Sequence, residues 1–184
     1  MKEKPPRALV AGLGNIFLSD DGFGVGAAAL LARCELPPGV EVVDIGVRGV
    51  HLAYQLLDGY DTVVLLDATA QGGAPGTVYL VDHAEQVVPD TAVIDGHRMT
   101  PDAVLALLAT LGAGTGGSMP RRVVVVGCEP ACLEEGIGLS APVAASLDEA
   151  VAVVMAVLSD KQGLTDRNHC EEPRRCTCSS SSAG

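Results

Sequence analysis

Apolar residues in this chain occur in short unbroken runs separated by longer stretches with helical spacing. Ala8 to Ala11 is the first run and stops at Gly12-Leu13-Gly14-Asn15, which fits a strand leaving its sheet through a glycine turn. Ser19-Asp20-Asp21 then offers an N-cap and an acidic first turn to a helix with Val25, Ala28, Ala29 and Ala32 on one face. After Pro37-Pro38-Gly39, Val40 to Ile45 reads as a second strand, and Val50 to Leu57 as a short helix closed by Asp58-Gly59-Tyr60. Thr62 to Leu66 is a third strand, nearly all β-branched or aliphatic, so it belongs at the sheet centre with both faces covered, and it ends on Asp67.

The second half repeats the alternation. Gln71 to Gly76 is a glycine-rich turn, and Thr77 to Val81 is a shorter strand suited to an antiparallel edge. Asp82 to Arg98 has no clear period and reads as a long loop, a length that usually accompanies a function. Thr100-Pro101 starts a helix with Val104, Leu107, Leu108 and Leu111 as its stripe and Gly112 as its end. A linker follows from Gly112 to Pro120, then a further central strand from Arg122 to Val126. Ser140-Ala141-Pro142 opens a final helix carrying Val143, Leu147, Val151, Val154 and Leu158. Strands alternating with helices predict an α/β fold: a doubly wound, twisted sheet of about five mostly parallel strands with helices on both faces.

Composition fits that architecture. Hydrophobic residues make up 48% of the 184 positions and aromatics only 3%, so the core is built from Val, Leu, Ala and Ile. Residues 1–160 are expected to form a single α/β domain, whereas 161–184 are polar, close on a serine run and are expected to be a disordered tail. A formal net charge of −11 disfavours nucleic acid as a partner. Ala150 to Leu158, the longest apolar stretch, is about half of what a membrane-spanning helix needs, and the first residues carry no signal-like segment. No membrane association and a cytoplasmic location are therefore expected. Cys34, Cys128 and Cys132 lie in what read as packed elements, and the six cysteines read as reduced thiols.

In open parallel sheets the functional crevice lies beyond the carboxyl ends of the strands. Asp20 and Asp21 follow the first strand, Asp67 ends the third, and His97 lies in a loop able to fold over the same edge. Two carboxylates and a neutral imidazole would give a divalent metal oxygen and nitrogen ligands and leave positions open, so metal-assisted hydrolysis is a reasonable reaction class. Each residue also has a plainer role. Asp20 and Asp21 suit the positive end of a helix dipole, Asp67 suits a turn cap, and His97 suits a solvated loop. Spacing alone leaves both readings open.

The run Gly12-Leu13-Gly14-Asn15-Ile16-Phe17-Leu18-Ser19-Asp20-Asp21-Gly22-Phe23-Gly24-Val25 is similar to the opening of the maturation endopeptidases of nickel-iron hydrogenases. The likeness continues through Val64-Leu65-Leu66-Asp67-Ala68, Pro75-Gly76-Thr77, Gly96-His97, Gly127-Cys128-Glu129-Pro130 and Gly136-Ile137-Gly138-Leu139-Ser140, so it spans roughly residues 7 to 158. The resemblance implies a protease that removes the C-terminal extension of a hydrogenase large-subunit precursor after nickel insertion. It implies Asp21, Asp67 and His97 as metal-binding and catalytic residues, with the nickel supplied by the precursor. Zinc or cadmium is a further candidate occupant of the isolated protein. A role for Asp20 as general base, or for Asp44, stays open. Many members of the family have Glu at the Asp21 position and an Asp-Gly-Gly-Thr turn where this chain reads Asp44-Ile45-Gly46-Val47-Arg48-Gly49. A rival reading is a non-catalytic nickel-binding or chaperone-like module that inspects the precursor without cutting it.

Other signals are weaker. Gly12-x-Gly14 would begin a dinucleotide fingerprint, but Phe17 stands where its third glycine belongs. Gly-Leu-Gly-Asn also opens peptidyl-tRNA hydrolases, yet Ile16-Phe17 follows here instead of Pro-Gly. Cys128-x3-Cys132 is expected to pack, not to ligate, and His169 with Cys170, Cys176 and Cys178 matches no strong zinc spacing. His51 and His83 read as surface residues.

Overall fold

The computed structural model describes residues 7–82, 100–115 and 119–160. Five strands form one sheet: β1 (Ala8–Leu13), β2 (Val40–Gly46), β3 (Thr62–Ala68), β4 (Val78–Asp82) and β5 (Arg122–Cys128). Their order is β2-β1-β3-β5-β4, with β4 alone antiparallel to its neighbour. The aliphatic run of β3 sits at the centre, where Val63, Val64, Leu65 and Leu66 are buried. Such a strand has no solvent face to mark with polar residues, which is why it reads as an unbroken apolar run.

Helices α1 (Phe23–Leu31), α2 (Gly49–Leu56), α3 (Pro101–Thr115), α4 (Ala141–Ala145) and α5 (Leu147–Ser159) cover the sheet. One face is packed by α1, α4 and α5 through Phe23, Leu31, Val143, Ala150 and Val154 against Val10, Val64 and Val124. The other is packed by α2 and α3 through Leu52, Leu56, Val104 and Leu108 against Leu9, Leu65 and Val125. The α/β fold with helices on both faces is thus the one expected. No helix among the described residues is long and apolar enough to cross a membrane.

Four local expectations are corrected. Ser19 does not cap the first helix: residues Ser19–Gly22 form a 3-10 turn, Gly22 is the cap position of α1, and the Ser19 hydroxyl donates to the Glu134 carbonyl at 3.0 Å. The buried face of α1 is Phe23, Gly24, Ala27, Ala28 and Leu31, leaving Ala29 and Ala32 exposed, because Phe23, Leu31 and the close-packed Gly24 set its orientation. Helix α3 continues through Gly112 to Thr115; the bare backbone at Gly112 gives room to Met119, whose sulfur would lie 3.2 Å from any Cβ there. The final helix is two, broken at Ser146, whose buried hydroxyl donates to the Val143 carbonyl at 2.8 Å.

Of the cysteines expected in packed elements, Cys128 is buried, but Cys34 and Cys132 are exposed, since the first follows the end of α1 and the second lies in a loop. All three are free thiols. His51 is exposed, as expected. His83, His97, the rest of the loop at 83–99, and the tail from Lys161 lie outside the described residues.

Candidate active site

Because β1, β2, β3 and β5 run parallel, their carboxyl ends share one edge of the sheet. Asp67 is at that edge on β3, opposite Gly127 of β5. The chain leaving β1 turns through Gly14, whose φ of +113° suits glycine, and returns in the 3-10 turn that carries Asp20 and Asp21. The Asn15 N–H donates to Asp21 Oδ2 at 2.6 Å, fixing that carboxylate beside the turn.

Close packing brings Asp21 and Asp67 together. A side chain at Gly24 would collide with the carbonyl oxygens of both Leu13 and Leu66, so the start of α1 lies directly on the β1–β3 junction. Gly12 completes the contact, since a Cβ there would meet the Ala28 Cβ at 2.8 Å. Asp67 is only 8% exposed. Burial, then the charge of Asp21 and that of Asp102, push its carboxyl up to about 8, against the pull of the Ala68 N–H. At neutral pH this site holds either a proton or a compensating cation.

Asp20 behaves differently although it is the next residue along the chain. Its fully buried carboxylate accepts from the N–H groups of Ala131 (2.8 Å), Cys132 (3.0 Å) and Ser140 (2.6 Å) and from the Ser140 hydroxyl (2.9 Å). Burial alone would raise its pKa, but these bonds outweigh burial and hold it below the ordinary carboxylate range. A general base with this many donors has little capacity left for a substrate proton. Asp20 instead anchors the loop between β5 and α4. Asp44 is exposed near the end of β2, on the same edge, and Arg48 donates to its backbone carbonyl, not to its carboxylate.

Glu129 is a residue whose role the motif alone did not reveal. It is 6% exposed and accepts from Gln71 N–H (2.7 Å), Gly72 N–H (3.2 Å) and the Tyr79 hydroxyl (3.0 Å), tying the β3–β4 turn to the end of β5. The Gln71 N–H bond, ahead of burial's opposing effect, holds its pKa below the usual range. The sequence signal was an acidic residue immediately after a buried strand. Its partners, 50 or more residues away, were not visible there.

Among the described residues no group of three His, Cys, Asp or Glu side chains is arranged to hold a metal ion. The expected set therefore contributes a described pair, Asp21 and Asp67, while His97 lies outside the described residues. A carboxyl kept protonated by burial and by the charge of a neighbouring carboxylate, together with that neighbour, is a donor set that suits a divalent cation. Cys128 and Ser140 offer no free nucleophile: burial raises the Cys128 thiol, its sulfur lies 3.2 Å from the Ser146 hydroxyl, and the Ser140 hydroxyl is committed to Asp20.

Comparison with known proteins gives the family of the chain. The family model described as HycI, hydrogenase maturation protease, matches residues 26–157. The chain is 36% identical over 166 residues to the hydrogenase expression/formation protein HupM of Azotobacter chroococcum mcd 1, covering 88% of this chain and 76% of HupM. It is 33% identical over 156 residues to the hydrogenase 2 maturation protease of Escherichia coli K12, covering 84% of this chain and 92% of that protein. The solved structure of the hydrogenase maturating endopeptidase HybD from E. coli superposes with a TM-score of 0.66 at 33% identity, covering 83% and 91% of the two chains. The fold, the sequence and the family model converge, and the chain belongs to the HycI family of hydrogenase maturation proteases.

Proposed function

We propose that this endopeptidase removes the C-terminal extension of a nickel-iron hydrogenase large-subunit precursor once nickel has been inserted, and that Asp21, Asp67 and His97 approach the nickel carried by that precursor. The observation that carries the reading is the Asp21–Asp67 pair, in which Asp67 is pushed up to about 8 by burial and by its neighbour's charge. A cation entering between them would relieve the repulsion and release the proton from Asp67. The same donor set leaves zinc or cadmium as candidate occupants of the isolated protein.

The metal, when bound, polarises the scissile carbonyl or the attacking water. The chain's own part is to orient and to exchange a proton. Asn15 N–H holds Asp21 in place, and Asp67, kept neutral by burial and by the charge of Asp21, would give its proton to solvent if a cation were held between the two carboxyls. Water adds to the carbonyl carbon, the C–N bond breaks, and the products are a new carboxyl terminus and a released amine. Helix α3 starts at Pro101, and the charge of Asp102 is felt at Asp67; His97 precedes this helix start by four residues in sequence, which supports it as third ligand.

The test is to incubate the protein with nickel-loaded and nickel-free precursor and to measure precursor mass. Mass loss only with nickel is expected. No loss in either sample would favour the rival, a non-catalytic nickel-binding or chaperone-like module, and loss in both would remove nickel as the signal.

A further inference from the structure

Beside the paired carboxylates, two loops expose large apolar side chains. Ile16 and Phe17, in the turn after β1, are 48% and 62% exposed; Leu133 and Ile137, in the loop after β5, are 49% and 84% exposed. The loops are joined to each other. Gly136 N–H donates to the Phe17 carbonyl at 2.9 Å and Ser19 N–H to the Gly136 carbonyl at 3.0 Å, forming a bridge between Leu18 and Gly136. Asp20 N–H donates to the Cys132 carbonyl at 3.1 Å, and the Asp20 carboxylate accepts from the N–H groups of Ala131, Cys132 and Ser140 at the two ends of the loop. The apolar groups are thus mounted on a pre-ordered base, so a partner that covers them pays little to order it.

Charge narrows the occupant. Glu134 and Glu135 are exposed between Leu133 and Ile137, and Asp21 lies four residues after Phe17. Neither Ala8 to Ala32 nor Val123 to Asp160, the two segments that build this surface, contains a Lys or Arg. A second copy would bring Glu134 and Glu135 against their own kind, in a chain of net charge −11. An anionic lipid surface is disfavoured for the same reason. The complementary partner is a polypeptide with apolar side chains flanked by basic residues. Ile16 and Phe17 belong to the same short turn as Asp21, so a peptide bond presented to Asp21 lies close to this surface.

We propose that Ile16, Phe17, Leu133 and Ile137 form a docking shelf for an apolar, basic-flanked segment of the precursor, next to the bond that is cut. The proposal rests on the protease reading above. It assigns to the loop held by Asp20 a role in substrate recognition, separate from the carboxylate pair.

The full chain is tested as wild type, F17S, I137S and the double variant, with L80S as control, since Leu80 is exposed on the edge strand β4. Far-UV circular dichroism and thermal melts check folding, and the single variants serve if the double variant does not fold. Binding of fluorescently labelled, nickel-loaded precursor and the kinetics of its cleavage are both measured. The double variant is expected to raise Kd and KM about tenfold or more while kcat stays within about twofold, with L80S unchanged. Raising salt is expected to weaken wild-type binding. Absence of cleavage by wild type would refute the protease reading, and the binding measurement would still decide the shelf. Unchanged Kd in a folded double variant would overturn the shelf. So would a wild-type dimer in sedimentation that the double variant disperses, which would assign the surface to a second copy.

Discussion

Asp20 and Ser140 are 120 residues apart, yet the Ser140 backbone and side chain both donate to the Asp20 carboxylate, at 2.6 and 2.9 Å. With Ala131 and Cys132 as further donors, this buried group replaces the water it lost with oriented N–H and O–H groups. Replacing Asp20 by Asn would turn one acceptor into a donor facing backbone N–H groups. Asp20→Asn is expected to cost about 3 kcal/mol of unfolding free energy, read from urea titration. Hydrogen exchange should become faster at the amides of Ala131, Cys132 and Ser140. Because the folded pKa lies below the ordinary 3.8, the wild-type contribution is present above that value and is lost as pH falls through the folded pKa.

Asp67 has the opposite sign. Its ordinary value of 3.8 rises to about 8 in the folded chain, chiefly through burial and the neighbouring Asp21 charge. Between those values the folded state binds more protons than the unfolded state, so the contribution of Asp67 is full below 3.8 and declines as pH rises toward about 8. Asp67→Asn should remove this decline. Urea midpoints compared at about pH 5 and about pH 8 should separate more for the wild type than for the variant. Saturating divalent cation should reduce the wild-type difference, because it takes the place of the proton.

The contrast between these two aspartates also marks what sequence patterning reveals. Asp67 was legible because a β-branched, aliphatic strand with no polar face ended on it, and parallel strands put their carboxyl ends at one edge. The antiparallel edge strand β4 was legible from its shortness and the glycine turn before it. Asp20 was not, since four donors from residues 131–140 decide its role and no local pattern points to them. The face of α1 was misread for a related reason: alanines give little amphipathic contrast, and Gly24, which looks featureless, is where the helix meets the sheet.

That contact gives the next prediction. Gly24→Ala would place a methyl group against the Leu13 and Leu66 carbonyl oxygens, both in strand backbone that cannot move aside independently. A loss of about 2–4 kcal/mol in stability is expected, with a lower thermal midpoint. Since the same contact sets Asp21 beside Asp67, any folded fraction should also cleave precursor more slowly. By contrast, Gly26→Ala should fold normally, because its nearest side chains, Leu139 and Leu147, lie 3.6 and 3.7 Å from the added carbon.

The third ligand can be tested without cleavage. If Asp21, Asp67 and His97 share a cation, then Asp21→Ala, Asp67→Ala and His97→Ala should each weaken cadmium binding by about tenfold or more in isothermal titration calorimetry. His51→Ala is the matched control, because His51 is exposed on α2. Asp44→Ala separates two arrangements at the same edge. Asp44 is exposed near the end of β2, so retained affinity would leave the described pair and His97 as the donor set, whereas a loss equal to that of Asp67→Ala would bring β2 into it. Wild-type affinity in His97→Ala would assign the third position to another donor. The pH dependence supplies an independent check. Binding that displaces the Asp67 proton should tighten as pH rises toward about 8, and Asp67→Asn should lose that dependence.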